Sequence, residues 1–200
     1  MRSVVEDFAI CLKRVDERLP VAANTRSGFE FQPGIGPHSE SRTVALVTAE
    51  MSQRWPNRYG GSGPVQYPKR PRWKCDLGIR PADSDGWAIE VKMLRLLGDN
   101  GKLNDNMLMH ILSPYPQHRS AVTDVQKLRS SEFNCRKGII VYGYVAHEWP
   151  LEPVIDAFER IVGIGNELGP REHAQIERLA HPVHSGAEVF GWELLPSRAS

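Results

Sequence analysis

With 200 residues, 40% hydrophobic and 24% charged, the chain has an ordinary globular composition, which excludes wholesale disorder and predicts one compact domain over 1–200. Folding a chain of this length buries roughly 70% of its unfolded surface, enough for a core without disulfide or metal staples. Twenty-five Lys and Arg stand against 24 Asp and Glu, a net charge of +1 that excludes a uniformly basic nucleic-acid coat, so any electrostatic function must come from how charge is distributed.

Cys11, Cys75 and Cys135 are odd in number and far apart, and read as reduced core thiols, which favours a cytoplasmic setting. No run approaches the roughly 18 apolar residues of a membrane span, and MRSVVEDF carries acids where a signal peptide has an apolar block. Neither membrane insertion nor secretion is expected.

The first predicted element is an amphipathic helix: Val4, Phe8, Leu12, Val15 and Leu19 recur at helical spacing, Ser3 and Glu6 make a capping-box pattern, and Pro20 stops it. Residues 21–38 are rich in Gly, Pro and Asn and read as a loop, in which Phe29 and Phe31 alternate as a short edge strand would. A second helix spans about 39–55 on the stripe Val44, Val47, Met51 and Trp55, ended by PNRYGGSGP.

From Val65 the pattern becomes extended, as VQYPKR, WKCDLGI and WAIEVKM, the last two joined by the turn-forming PADSDG. Residues 96–119 read as a loop, and a short helix follows on Ala121, Val125 and Leu128 with Ser120 as its cap. GIIVYGYV, at 138–145, is a continuous apolar run suited to a strand buried on both faces. A helix over 151–168, with Val154, Phe158, Ile161 and Ile164 inward, and a last strand, AEVFGWELL, complete the order. The expected class is α/β, a central mixed β-sheet flanked by helices.

Chemistry concentrates on two predicted strands. Asp76 lies in KCDLGIR, and after 13 intervening residues Glu90-Val91-Lys92 lies in WAIEVKML. Glu90 and Lys92, two apart, share one strand face, while Ile89 and Val91 face the core. Two carboxylates and an ammonium on so apolar a strand suit a hard divalent cation. The plain alternative is a surface acid pair with a salt-bridging lysine.

These residues resemble the PD-(D/E)xK nuclease superfamily, whose signature is an Asp, a hairpin and an acid-x-Lys on the next strand. Here it stands as Cys75-Asp76 and Glu90-Val91-Lys92, without the Pro of the motif. The helix, three-strand, helix, strand order over about 39–145 is similar to the core of the restriction-endonuclease-like fold. The resemblance implies a Mg²⁺-dependent nuclease, with Mn²⁺ as substitute, that hydrolyses phosphodiesters in DNA in a restriction, defence or repair setting. Water would attack in line, leaving a 5′-phosphate and a 3′-hydroxyl.

Carried over residue by residue, Asp76 and Glu90 would bind the metal with the carbonyl of Val91, and Lys92 would position water and stabilise phosphate charge. A further acid from the preceding helix would be Glu40, with Glu50 as the alternative. Asp124, Gln126 and Lys127, on the helix after the motif, are accessory candidates; Asp124 and Lys127 also read as an i,i+3 ion pair. The family also implies a homodimer on double-stranded DNA. The alternatives are an inactive nucleic-acid-binding module of the same fold, or a subunit of a larger defence assembly.

Charge distribution points the same way. Residues 51–80 hold Arg54, Arg58, Lys69, Arg70, Arg72, Lys74 and Arg80 against Asp76 alone, a local net of +6, interleaved with Trp55, Tyr59, Tyr67 and Trp73. The first six basic residues are the candidate nucleic-acid contacts. Residues 141–200 carry nine acids and four basic groups, a net of −5. His173, His181 and His184 lack zinc-ligand spacing, GIG at 34–36 and 163–165 lacks a phosphate-loop context, and no G-x-S-x-G occurs.

Overall fold

The computed structural model describes residues 1–19, 32–80, 82–104, 106–146, 149–163 and 168–196. The Phe29 and Phe31 alternation, the Pro20 stop and Ile164 lie outside them. The helices are α1 (Arg2–Arg18), α2 (Glu40–Arg54), α3 (Pro56–Tyr59), α4 (Met107–Leu112), α5 (Ala121–Arg129) and α6 (Glu152–Gly163). The strands are β1 (Gly63–Tyr67), β2 (Arg70–Ile79), β3 (Trp87–Leu94), β4 (Arg136–Val145), β5 (Glu172–Glu177) and β6 (Gly186–Glu193). They form one six-stranded mixed sheet in the order β1-β2-β3-β4-β6-β5. Only the β3–β4 pair is parallel, and α4 and α5 lie on the crossover between these two strands, as a parallel connection requires.

Helices cover both faces. On one, α1 and α2 pack Phe8, Leu12, Val47 and Met51 against Leu77, Ile89, Val91 and Tyr142. On the other, α5 and α6 pack Val125, Leu128, Ile155 and Phe158 against Ala88, Ile139, Val141 and Trp192. This accounts for the apolar β4, seven consecutive residues of which are buried. Cys11, Cys75 and Cys135 are buried free thiols. No helix among the described residues is long and apolar enough to cross a membrane.

Several local expectations change. Helix α1 starts at Arg2 with no side-chain cap, so Ser3 is already helical and Glu6 pairs instead with Arg2 at 2.9 Å. In α6 the buried face is Val154, Ile155, Phe158 and Val162, and Ile161 is turned outward. The 96–119 stretch contains α4 and a 3-10 turn at Pro116–His118. Strand β5, whose Ala174 and Ile176 alternate with polar residues, pairs antiparallel with β6 beneath α1. By contrast, Ser120 caps α5 as expected, its Oγ accepting from the Thr123 N–H at 3.2 Å.

A buried carboxylate fastens α1 to two distant loops. Asp16, fully buried, accepts from the Ile35 N–H at 2.9 Å and the Ala180 N–H at 2.7 Å. Removing it strands both donors in a dry interior, at about 1–3 kcal/mol each. Asp16→Ala is therefore expected to cost roughly 2–6 kcal/mol of stability, read as a lower urea midpoint at unchanged slope.

Candidate active site

The site forms where β2 leaves β3. Their ladder runs from Ile79↔Trp87 to Leu77↔Ile89 and goes no further. Beyond it, β3 has N–H groups that β2 does not reach, and two carboxylates take them. Asp76 Oδ2 accepts from the Val91 N–H at 2.9 Å, and Glu40 Oε2 from the Met93 N–H at 2.7 Å. In an extended strand the N–H and C=O of one residue point the same way, so the carbonyl of Val91 faces this gap too.

A register shift between β1 and β2 places Asp76. Gly63 pairs with Gly78, but Val65 pairs with Cys75, so β2 carries one extra residue there. Cys75 consequently packs on the α5 side while Leu77 packs on the α1 side, and Asp76 lines the α5-side cavity next to Glu90. Strict alternation alone would not bring adjacent residues to one side.

Glu90 is 2% exposed, so the surface-pair alternative does not hold. Its Oε1 accepts from the Tyr67 hydroxyl at 2.5 Å and from Lys127 Nζ at 2.5 Å. Burial, and next the adjacent Asp76 carboxylate, push the Glu90 carboxyl up to about 7. Lys92 Nζ stands 3.0 Å from Asp124 Oδ2 and 3.3 Å from Glu40 Oε1. Burial depresses this ammonium, but Asp124 and Glu40 outweigh it and hold the proton on more firmly than usual. Lys127 also lies 3.0 Å from Asp124 Oδ1 and 5.1 Å over the Tyr67 ring. Asp124 and Lys127 thus do form an i,i+3 pair, but one turned inward and joined to both Glu90 and Lys92.

Asp76, Glu90, Lys92, Asp124 and Lys127 line a cavity of about 570 Å³, with Arg72, Trp73, Lys74, Pro116, Arg119 and Thr123 around it, and Glu40 and Tyr67 touch this set from behind the lining. No protein-family model, curated protein or solved structure matches this chain.

Asp76, Glu90, Lys92, Glu40, Asp124 and Lys127 are therefore brought together from four elements. Other candidates are not. Glu50 is bound at α1, pairing with Arg14 at 2.8 Å and with Arg18, because it projects from the side of α2 that packs on that helix. Gln126 is exposed on α5 and does not line the cavity. Arg58 pairs with Asp7 at 2.5 Å, and Arg54 stacks on Trp55 at 5.1 Å beside α1 and β5. Neither is a contact at this cavity, because α2 and α3 deliver them to the opposite layer of the sheet. Of the remaining basic candidates, Arg72 and Lys74 line the cavity, while Lys69 and Arg70 line the groove next to it. Arg119 was not signalled by its surroundings in sequence; it closes the 3-10 turn in a left-handed conformation, φ 47°, at the cavity rim.

The donor set fits a small hard cation. Among the described residues no three His, Cys, Asp or Glu side chains form a group able to hold an ion, so side chains alone do not enclose one. Mg²⁺ asks for less: one or two carboxylates, with water and substrate oxygens completing six positions. Asp76 and Glu90 are neighbouring carboxylates whose repulsion helps to raise the Glu90 carboxyl even with Lys127 beside it, and a bound cation would relieve it further.

Proposed function

We propose that this chain is a metal-dependent phosphodiesterase acting on nucleic acid, with DNA as its substrate. One observation carries the reading: Asp76, Glu90 and Lys92 meet in a single cavity where two strands part, with cationic side chains on its rim. The order α2, β1-β2-β3, α5, β4 also supports the likeness to the restriction-endonuclease-like fold. Asp76, Glu90 and the Val91 carbonyl would hold Mg²⁺, or Mn²⁺ in its place, which when bound supplies a Lewis acid for the phosphate and a more acidic water.

The rest is done by the protein's own groups. Lys92 Nζ, kept charged by Asp124 and Glu40, faces the negative charge that grows on the phosphate as water attacks. Lys127 places a second ammonium against Glu90. Arg72, Lys74 and Arg119 line the walls where flanking phosphates would lie. Tyr67 and Asp124 touch the other groups and act by positioning them.

The test is cleavage of supercoiled plasmid, linear duplex, single-stranded DNA and RNA in Mg²⁺, Mn²⁺ or EDTA. The expected result is DNA cutting that EDTA abolishes. Folded protein that cuts none of the four in either metal overturns the reading, and retained binding would then favour the inactive module.

A further inference from the structure

We propose that Trp73 is a stacking platform for one unpaired base beside the scissile phosphate, so that the substrate is a single strand or a frayed end. This rests on reading the adjacent cavity as the hydrolytic site.

Trp73 is 41% exposed on β2, with Arg72 and Lys74 as chain neighbours. Its ring divides two hollows: the 570 Å³ cavity holding Asp76 and Glu90, and a groove of about 610 Å³ between the β1–β2 hairpin and the end of α5. Both hollows share Arg72, Trp73 and Lys127, so a strand can pass from one into the other.

The ring is held rather than loose. The Arg70 guanidinium lies 4.5 Å from its centroid, and Tyr67 meets it edge-on at 6.1 Å. Lys69, at the hairpin tip, pairs with Glu132 at 2.6 Å and bridges the groove's two walls. A large exposed indole fixed among cations contributes little to the core, whereas cations that track a backbone beside an aromatic face are what a single strand needs. A base inside a duplex has both faces covered by its neighbours, so an unpaired one is what can lie on an indole that lines two hollows.

The experiment is fluorescence anisotropy in EDTA, with wild type, Trp73→Ala and Trp73→Phe. The probes are a labelled oligothymidylate of about 12 nucleotides and a blunt duplex of equal length closed by G·C pairs at both ends. Trp73→Ala is expected to weaken single-strand binding about tenfold or more, Trp73→Phe to restore most of it, and duplex binding to stay unchanged. Matching thermal melts confirm that the variants fold. Wild type that binds no single strand overturns the proposal, as does Trp73→Ala with single-strand affinity within about twofold of wild type or with equal losses on both probes. Cleavage in Mg²⁺ separates this proposal from the one it rests on. Trp73-dependent binding without any cutting supports the platform and removes the hydrolytic reading. Cutting that Trp73→Ala leaves unaltered on every substrate overturns the platform and keeps hydrolysis.

Discussion

Lys92→Ala is expected to reduce metal-dependent cleavage by about a hundredfold to a thousandfold, the usual effect of removing one group that stabilises transition-state charge. It is also expected to destabilise the fold, because Asp124, 4% exposed, then loses its partner at 3.0 Å and keeps only Lys127, which Glu90 shares. Breaking a buried pair from one side costs about 3–5 kcal/mol. The two effects can be separated. Adding Asp124→Asn to Lys92→Ala removes the excess buried negative charge and leaves Lys127 to Glu90, so the double variant should recover part of the lost stability and none of the lost cleavage. Urea unfolding reads the first quantity and plasmid cutting the second. If the double variant regains activity along with stability, Lys92 is a structural lysine and the proposed chemistry is wrong.

The second large effect concerns Glu90 and pH. Its folded pKa, about 7, lies above the ordinary 4.5, so the folded state holds this proton more tightly than the unfolded chain does. Below 4.5 the carboxyl is neutral in both states and its burial carries no charge penalty. As pH rises from there through about 7 the folded protein must ionise it, and stability falls by up to about 3 kcal/mol. Other groups titrate in the same window, so the quantity to read is the difference between wild type and Glu90→Gln. The Gln variant should gain on wild type from about pH 5 to about pH 8. Millimolar Mg²⁺ should close that difference by stabilising only wild type, since a ligand of the folded state adds stability by mass action. A constant difference across this pH range, with no response to Mg²⁺, would mean that Glu90 neither ionises there nor holds a cation.

Much of this arrangement was legible in the sequence. The helical stripes of α1 and α2, the three-strand meander and the apolar β4 each follow from hydrophobic periodicity and turn residues. So did the convergence of Asp76, Glu90 and Lys92, since a hairpin places two consecutive strands side by side. What escaped depends on the third dimension. Glu40 and Glu50 both lie on α2, and only the packing against α1 decides which meets β3 and which meets Arg14 and Arg18. Arg54 and Arg58 sit in the same basic run as Arg72 and Lys74, yet helices carry the first pair and a strand the second, on different layers. Strand β5 is short and half polar, and only pairing with β6 and cover by α1 make it a strand. The extra residue of β2, between the Gly63–Gly78 and Val65–Cys75 pairs, has only the in-strand Gly78 as a sequence hint, because the residues around it read as an unbroken strand.

The parting of β2 from β3 has a consequence for ion binding. Each carboxylate has two oxygens, and Asp76, which lines the cavity, uses one of them on the Val91 N–H and leaves Oδ1 out of that bond. The side chain is immobilised by the backbone before any ion arrives, so capture freezes few rotors and loses little conformational entropy. Lengthening this arm by a single methylene would separate the two duties, since the oxygen that fits the strand would no longer leave its twin where the proposed ion would sit. A cation at the proposed site would therefore meet a rigid socket, selective for ionic radius, rather than a flexible claw that closes around whatever it meets.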